Sequence, residues 1–384
     1  MIHRKLEAQV QNAAAHYPSV TIFGPRQSGK TTLAKTIFPN YSYANLEDSE
    51  TRSLASSDYR AFFSRFPPPV IIDEAQKVPE IASAVQVLID ENRSAKGRFV
   101  LTGSHQPLLA QAVSQSLAGR TSVLTLFPPE MAELGKSASM SSDAIMCRGF
   151  MPELYSEPDR DAFDYYRNYY ALYVERDVRQ MVNVKDLLLF DRFVRLLAGR
   201  IGQLANFQSL AVETGVSAPT ISQWVSVLEA SFLVFRLPPY FLNISKRLVK
   251  APKIYFSDVG LAAYLLGIEN ERQMMRDPLR GHLFENLVVA DVMKHRINAG
   301  REPNLYFLRT EKGFEIDLLQ VSGREIWPME IKSAMTWRNE FASAIRRFVS
   351  EVPGCVRPAV IYDGDKIEFS DGVKALNFRD HWAE

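Results

Sequence analysis

The sequence predicts an α/β protein with three successive parts: a parallel sheet that carries a phosphate-binding loop, a helical module of winged-helix type, and a second α/β domain. Strand-like apolar runs alternate with helical stretches from Val20 to about Phe127, which is the pattern of a parallel sheet with helices on both faces. Apolar residues then recur at helical spacing from Asp161 to about Arg200, for example Phe190. Paired strand-like runs return after residue 300, and they indicate the second α/β domain.

A glycine-rich segment follows the first strand-like run. The apolar run 20–23 is typical of a buried strand, residues 33–37 are typical of a helix start, and the chain between them fits the pattern G-x-x-x-x-G-K-[ST]. The glycines of this pattern let backbone amides turn toward phosphates, its lysine reaches the outer phosphates, and its threonine hydroxyl ligates Mg²⁺. The segment therefore predicts a P-loop NTPase sheet. The residues predicted to bind the nucleotide are Gly24, Pro25, Arg26, Gln27, Ser28, Gly29, Lys30, Thr31 and Thr32.

Two further strand ends carry the polar groups that phosphoryl transfer needs. The apolar run 69–72 ends in Asp73 and Glu74, which is a Walker B pattern. We expect Asp73 to hold Mg²⁺ together with Thr31, and Glu74 to polarise the attacking water. The next apolar strand ends at Ser104, where a sensor hydroxyl could touch the γ-phosphate. A solvated strand end is the alternative interpretation of Asp73 and Glu74.

Arg120 precedes the strand-like run 121–127 and has two interpretations. A cation near the γ-phosphate neutralises charge that develops during transfer, so Arg120 is a candidate nucleotide-sensing or finger arginine. An arginine that satisfies carbonyls at a helix end is the alternative.

The resemblance of the chain to a known family rests on several of these motifs together. They are segments 24–32, 72–75, 101–104, 173–178, 253–260 and 283–286, with the helix-turn-helix-like stretch described next. They resemble the AAA+ superfamily of ATPases, specifically the bacterial and archaeal group that carries a C-terminal domain of unassigned function. The resemblance implies an ATPase that uses ATP and Mg²⁺ and has an appended domain, but it supplies no biological role.

The stretch 208–224 predicts a helix-turn-helix, because a short helix, a glycine turn and a Ser217 N-cap with a proline early in the next helix follow one another. The runs 232–236 and 240–242 are predicted to form the wing. A local basic cluster, which would suit DNA phosphates, follows: Lys246, Arg247, Lys250 and Lys253. Winged helices also bind proteins or serve as structural modules, so DNA is one of several possible partners.

A fourth constellation lies in the last third of the chain. Asp317 and the pair Glu330-x-Lys332 stand on predicted strands, and Glu285 stands on a predicted helix. These residues resemble the PD-(D/E)xK core of restriction-endonuclease-like domains, which implies that two carboxylates clamp Mg²⁺ and the lysine acts on the phosphate. The chain departs from the pattern at Ile316, where the family often has proline. Degenerate copies of this fold keep the shape without the chemistry, and outward-facing strand charges are a further alternative.

Composition limits the other classes of function. A net charge of +1 gives no global field, two cysteines are too few for a disulfide framework or a zinc site, and no run approaches the length of a membrane span. A cytoplasmic protein is therefore expected. Glu175, Arg176, Asp177 and Arg179 could reach the ATP site of a neighbouring copy in a homo-oligomer, although a solvated helix face is the commoner explanation of such charges.

The motifs together predict four successive regions, and the first boundary lies near the linker-like stretch 135–142. The ATPase domain is expected in 1–135, a linker and helical segment in 136–200, the winged-helix-like module in 201–260 and the restriction-endonuclease-like domain in 261–384. Our hypothesis is an ATPase that engages DNA through its C-terminal region, with nuclease activity as a possible form of that contact. A regulatory NTPase switch with a partner-binding C-terminal domain that cuts nothing, and an ATP-dependent remodeller of a protein substrate, are the alternatives.

Overall fold

The structure is a computed structural model that describes residues 2–104, 107–174, 187–240, 251–310 and 313–380. The predicted charged helix residues Glu175, Arg176, Asp177 and Arg179 lie outside these ranges, as do Lys246, Arg247 and Lys250. Within the described ranges, no helix combines the length and the apolar character needed to cross a membrane.

Five parallel strands form the first sheet, in the order β2-β3-β4-β1-β5. Their bounds are β1 (Ser19–Phe23), β2 (Ser42–Asn45), β3 (Val70–Asp73), β4 (Phe99–Gly103) and β5 (Thr121–Thr125). All residues of β1, β3 and β4 are buried, as expected for the centre of a parallel sheet. Because β4 lies between β1 and β3, the carboxyl ends of these three strands meet at one edge.

Helices cover both faces of this sheet, as the alternating sequence pattern predicts. They are α1 (Glu7–His16), α2 (Lys30–Ile37), α3 (Ser49–Ser57), α4 (Tyr59–Arg65), α5 (Ile81–Glu91) and α6 (Pro107–Ser116). Val20 and Ile22 of β1 pack with α1 and α2 in one apolar cluster, whereas Phe23 packs in a second cluster with α3 to α6. The alternation of side chains along each strand produces these two cores.

A set of mostly short helices follows the first sheet. They are α7 (Met131–Leu134), α8 (Ser142–Arg148), α9 (Pro152–Ser156), α10 (Ala162–Tyr169) and α11 (Leu187–Ala198). The helical spacing of apolar residues before Arg200 predicted a helix, and α11 is found there. Phe190, Phe193 and Leu197 of this helix are buried.

Two helices and a tight turn stand where the helix-turn-helix is predicted. They are α12 (Phe207–Thr214) and α13 (Ala218–Ala230), and Gly215 between them has a φ of +85°. The Ser217 hydroxyl caps α13 by accepting a hydrogen bond from the Thr220 amide at 3.2 Å, as the sequence predicts.

Part of the predicted wing, residues 241 and 242, lies outside the described residues, so the wing stays a prediction. Strand β6 (Val234–Leu237) pairs in antiparallel fashion with β7 (Lys253–Phe256). Tyr240 donates its amide to the Phe307 carbonyl at 2.6 Å, which connects it to the C-terminal sheet. The two prolines at 238 and 239 lack amide donors, so they do not extend a hairpin ladder from β6.

The C-terminal part is a mixed α/β structure. Its helices are α14 (Val259–Leu265), α15 (Glu271–Met274), α16 (Arg280–Asn298) and α17 (Ser343–Glu351). Its strands are β8 (Leu305–Arg309), β9 (Glu315–Ser322), β10 (Glu325–Lys332), β11 (Ala359–Tyr362), β12 (Ile367–Glu368) and β13 (Lys374–Asn377). They form one sheet in the order β12-β13-β11-β10-β9-β8. β8, β9 and β10 are antiparallel, whereas β11 runs parallel to β10.

One apolar core joins the helical part to the C-terminal part. Its buried members extend from Phe127 to Phe378 without a break at the predicted boundary near 260. The second face of the C-terminal sheet has its own cluster, which includes Ile316 and Phe348.

A buried carboxylate connects the end of the first sheet to α16. The Glu130 side chain has no exposed surface, and it accepts hydrogen bonds from Lys5 and, at 2.9 Å, from the Asn298 amide. His295 Nδ1 lies 3.2 Å from the same carboxylate. Burial alone would raise the pKa of Glu130, but the hydrogen bonds from His295, Lys5 and Asn298 outweigh it and lower the pKa to about 2.

We expect Glu130→Gln to destabilise the folded chain at neutral pH and to have less effect in acid. Because the pKa of Glu130 is lower in the folded chain than in the unfolded chain, its stabilising effect is present above about pH 5 and is lost as the pH falls toward 2. Thermal unfolding of the wild type and the variant at several pH values measures this difference. The exposed Glu80→Gln is the control, and a gap that stays constant from pH 7 to pH 3 would contradict the assignment.

Candidate functional site

The glycine-rich loop connects β1 to α2 and makes a close backbone approach. Gly24 has a φ of +152°, and a Cβ there would lie 2.1 Å from the Leu126 carbonyl oxygen, so only glycine fits. Gly29 has a φ of +94° immediately before α2. The loop therefore lies at the N-terminus of α2, where free backbone amides and the helix dipole favour an anion.

The ammonium group of Lys30 lies inside this loop. It donates to the carbonyl oxygens of Gly24 at 3.0 Å and Pro25 at 2.7 Å, and the residue is only 6% exposed. Ser28 is fully buried, and among the described residues its hydroxyl has no hydrogen-bond partner. A buried ammonium and an unpartnered hydroxyl at a helix N-terminus suit phosphate oxygens, so these residues fit the phosphates of a nucleotide.

Thr31 and Asp73 meet directly. The Thr31 hydroxyl lies 3.0 Å and 2.9 Å from the two carboxylate oxygens of Asp73, which ends β3. A hydroxyl and a carboxylate are the oxygen ligands that Mg²⁺ prefers. The structure thus brings together the two residues that the sequence predicts as metal ligands, and their chemistry fits that ion.

Two further hydroxyls bind Asp73, and sequence analysis missed both. Tyr43 of β2 donates to Asp73 Oδ2 at 2.8 Å, and Thr102 of β4 donates to Oδ1. Burial raises the pKa of Tyr43, and the charge of Asp73 raises it further, so the phenol stays a neutral donor. Tyr43 belongs to no motif, and Thr102 lies in the motif segment 101–104, in which the sensor role was assigned to Ser104. Both residues stand on strands that neighbour β3, so both can contact Asp73.

Glu74 and Ser104 also lie at this edge, and Gln76 connects them. The Gln76 amide nitrogen donates to the Glu74 carboxylate and, at 3.0 Å, to the Ser104 hydroxyl. Gln76 is 4% exposed and Ser104 is 8% exposed. Glu74 itself has a φ of +57°, a left-handed conformation at the start of the turn 75–77.

Groups from outside the sheet hold the loop backbone. The Arg4 guanidinium donates to the carbonyl oxygens of Ser28 at 2.8 Å and Phe127 at 2.6 Å. The Tyr165 hydroxyl of α10 donates to the Gln27 side chain. The loop, Arg4 and α9 also line a pocket of about 710 Å³ beside α2. Neither Arg4 nor Tyr165 belongs to a sequence motif, so neither was predicted.

Arg120 does not reach this site. It binds Asp90 with two hydrogen bonds of 3.0 Å and 2.9 Å, and it directly precedes β5. Because β5 runs parallel to β1, Arg120 lies at the opposite edge of the sheet from the glycine-rich loop. The direction of a parallel strand explains why a residue at its start cannot sense a nucleotide bound at its end in the same chain.

The four predicted residues of the C-terminal constellation converge. Lys332 lies 2.6 Å from Glu330 and 3.4 Å from Asp317, and the Asp317 carboxylate also accepts the Ile331 amide at 2.8 Å. Glu285 faces the same pocket of about 610 Å³ from α16. Burial and the charge of Asp317 raise the pKa of Glu285 to about 7 and that of Glu330 to about 8.

Lys253 lies between the carboxylates of this pocket, contrary to its predicted place in an exposed basic cluster. It is 2% exposed, and its ammonium lies 3.0 Å from Glu285 and 2.7 Å from Glu315. The Tyr255 hydroxyl donates to Glu285 as well. Lys253 was assigned to the basic cluster because its neighbours in sequence are basic, and the register of β7 instead directs it inward.

The pocket as folded does not fit a metal ion held by three carboxylates. In the described part of the chain, no three His, Cys, Asp or Glu side chains approach closely enough to hold a metal. Lys332 and Lys253 supply the positive charge that a metal would otherwise provide. This pocket, as folded, therefore offers no metal-dependent chemistry.

The chain is similar to known families and proteins along most of its length. The model of the AAA domain matches residues 16–135, and two domains of unknown function, DUF8612 and DUF4143, match residues 141–272 and 280–380. An uncharacterized protein of Mycobacterium tuberculosis is 30% identical over 378 residues, which are 97% of this chain and 83% of that protein. An uncharacterized protein of Mycobacterium bovis matches to the same extent. The Walker-type ATPase of Pyrococcus abyssi has a TM-score of 0.47 at 13% identity, covering 68% of this chain and 94% of that chain.

We expect Gly24→Ala to abolish nucleotide binding and to destabilise the chain. An added Cβ would meet the Leu126 carbonyl, so the loop would have to move away from the edge of the sheet. Fluorescence titration with a labelled ATP analogue and a thermal melt measure the two effects. Gly119→Ala is the matched control, since Gly119 also has a positive φ but its Cβ would meet nothing within 4 Å. Equal effects of the two substitutions would contradict a role for the close contact.

Proposed function

We propose that this chain, which belongs to the same protein family as the two mycobacterial relatives, binds and hydrolyses ATP with Mg²⁺. We further propose that it works as an ATP-dependent switch that engages DNA. The observation that carries the ATPase proposal is the direct contact between Thr31 and Asp73 beside the buried ammonium of Lys30. A nucleotide-binding loop alone would account for binding. The carboxylate of Glu74 next to Asp73 is what supports hydrolysis.

Each residue of the site has a distinct task in this proposal. Lys30 and the amides of the loop bind phosphate oxygens, and the pocket of about 710 Å³ next to the loop has the volume for the nucleoside. Thr31 and Asp73 would hold Mg²⁺, which neutralises phosphate charge when it is bound. Glu74 orients a water molecule and accepts its proton.

Substitutions of Lys30 and Glu74 should have different effects. Lys30→Ala removes the buried ammonium, so we expect loss of ATP binding. Glu74→Gln keeps the shape of the side chain but replaces the basic carboxylate by a neutral amide, so we expect ATP binding to remain and turnover to fall about 10²-fold or more.

Titration with a labelled ATP analogue and release of inorganic phosphate separate these effects. Lys96→Ala is the control, because Lys96 is exposed and lies away from the loop. Wild-type turnover in Glu74→Gln would show that another group orients the water.

The proposal for DNA rests on α12 and α13. These helices and the turn at Gly215 have the order of a helix-turn-helix, and Gln223 on α13 is exposed and able to bind base edges. Lys246, Arg247 and Lys250, which lie outside the described residues, would add phosphate contacts.

Nuclease activity is the second candidate for the C-terminal part. The convergence of Asp317, Glu330 and Lys332 favours it, and so does the Glu330 Oε2 atom, which is buried and has no partner among the described residues. The two ammonium groups among the carboxylates favour the switch instead, because they neutralise the site without a metal.

We expect the full chain to bind DNA at low salt and to leave it uncut in Mg²⁺ or Mn²⁺, with or without ATP. Asp317→Ala should leave ATP turnover unchanged, because Asp317 lies in the C-terminal sheet and not beside the loop. Fluorescence anisotropy and gel analysis of linear, nicked and single-stranded DNA measure binding and cutting. The exposed Glu325→Gln is the control. Metal-dependent cleavage that Asp317→Ala abolishes would contradict the switch and establish the nuclease.

A further inference from the structure

We infer that Gln76 is a positioning residue for ATP hydrolysis, which acts by holding the carboxylate of Glu74. The inference rests on the proposed hydrolytic function and assigns a role to a side chain that no motif of the sequence identifies. Gln76 lies in the turn 75–77 directly after β3 and donates its amide nitrogen to both Glu74 and Ser104.

The backbone places the two side chains together. Glu74 has a φ of +57°, a conformation that is uncommon for a residue with a side chain and is found where the surrounding structure enforces it. The tight turn that follows brings Glu74 and Gln76 to the same side of the sheet edge. The left-handed backbone of Glu74 and the turn after it therefore allow the Gln76 amide to reach the Glu74 carboxylate.

Strand β4 makes room for this arrangement. A Cβ on Gly103 would lie 2.4 Å from the Gln76 Oε1 atom, so the amide occupies the space that a side chain at this position would fill. The neighbouring Ser104 supplies the second acceptor for the amide nitrogen. The end of β4 thus has both the space and the partner for Gln76.

The hydrogen bonds fix the orientation of the amide. Its nitrogen faces two acceptors, and the reversed amide would set Oε1 against the Glu74 carboxylate. Gln76 Oε1 is buried and accepts no hydrogen bond from the described residues, so the hydrogen bonds of the amide nitrogen alone set its orientation. A buried amide whose nitrogen is shared by two residues of the site is held in one orientation.

Gln76 therefore fixes the position of the Glu74 carboxylate, which is the group proposed to orient the water molecule. A carboxylate at a strand end can adopt several rotamers, and only some of them point at an in-line water molecule. The Gln76 amide holds Glu74 in one rotamer and links it to Ser104, two residues after the Thr102 that binds Asp73. Gln76 does not touch the reacting atoms, so its effect on turnover passes through Glu74.

The experiment compares Gln76→Met and Gln76→Glu in the full chain, each alone and combined with Glu74→Gln. Methionine keeps the length of the side chain without a donor, and glutamate replaces the donor by an acceptor. We expect each single variant to lower kcat by about 10-fold or more, with KM and the affinity for a labelled ATP analogue within about 3-fold of the wild type. Neither should lower kcat further in the Glu74→Gln background. Gln111→Met, on the exposed surface of α6, is the matched control.

Several outcomes would overturn the inference. Wild-type kcat in Gln76→Met and Gln76→Glu shows that the amide does not matter. An equal loss of kcat in the wild-type and Glu74→Gln backgrounds, or a parallel loss of ATP affinity, shows a structural role. A melting temperature for each variant identifies misfolding, and if methionine prevents folding the glutamate variant decides. If Glu74→Gln keeps wild-type turnover, or the wild type hydrolyses no ATP, then the proposed hydrolytic function fails and the inference fails with it.

Discussion

The guanidinium of Arg4, a residue that is only 7% exposed, contacts two parts of the chain that are far apart in sequence, the glycine-rich loop and the segment 127–134. It donates to the backbone of Ser28 in the glycine-rich loop and of Phe127 after β5, and it lies 3.2 Å from the Glu133 carboxylate. Burial lowers the pKa of Arg4 and Glu133 opposes this effect, so the buried charge depends on all of its partners. The position of the phosphate-binding loop is therefore set by the N-terminal segment and the segment 127–134, as well as by the motif itself.

The same segment 127–134 faces α16 on its other side. The Met131 amide donates to Asp291 at 2.6 Å, and Glu130 binds the last turns of the helix through His295 and Asn298. The first turns of α16 carry Glu285, which faces the acidic pocket of the C-terminal sheet. One regular helix thus contacts the ATPase part at one end and the pocket at the other, over roughly 15 Å between Glu285 and His295. A rigid element of this kind is a direct physical connection between the two sites.

Local patterns in the sequence predicted the first sheet and its loop well, because glycine geometry and buried parallel strands leave signals within a few residues. Thr31 and Asp73 could be paired in advance, because the P-loop and Walker B patterns each assign one ligand to the same Mg²⁺ ion. Lys253 and Gln76 could not be placed, because their roles depend on partners that are distant in sequence or on a turn without a pattern of its own. The pairing of β6 with β7 was not predicted, because strand-like composition does not determine which strand is the partner.

The continuous core and the buried polar groups at its border affect how the chain can be divided. A fragment that ends at residue 135 would retain Glu130 but lose His295 and Asn298, and it would expose Phe127 and Met131, which pack in the core that extends to Phe378. Arg4 would still bind the loop and Phe127 in the fragment. The segment 127–134, however, would lose its contacts with α16. Kinetic constants measured on such a fragment would describe a glycine-rich loop that keeps its contact with Arg4 but lacks the indirect support of α16. The structural unit that supports the loop therefore extends into α16, although the residues proposed for the chemistry all precede residue 105.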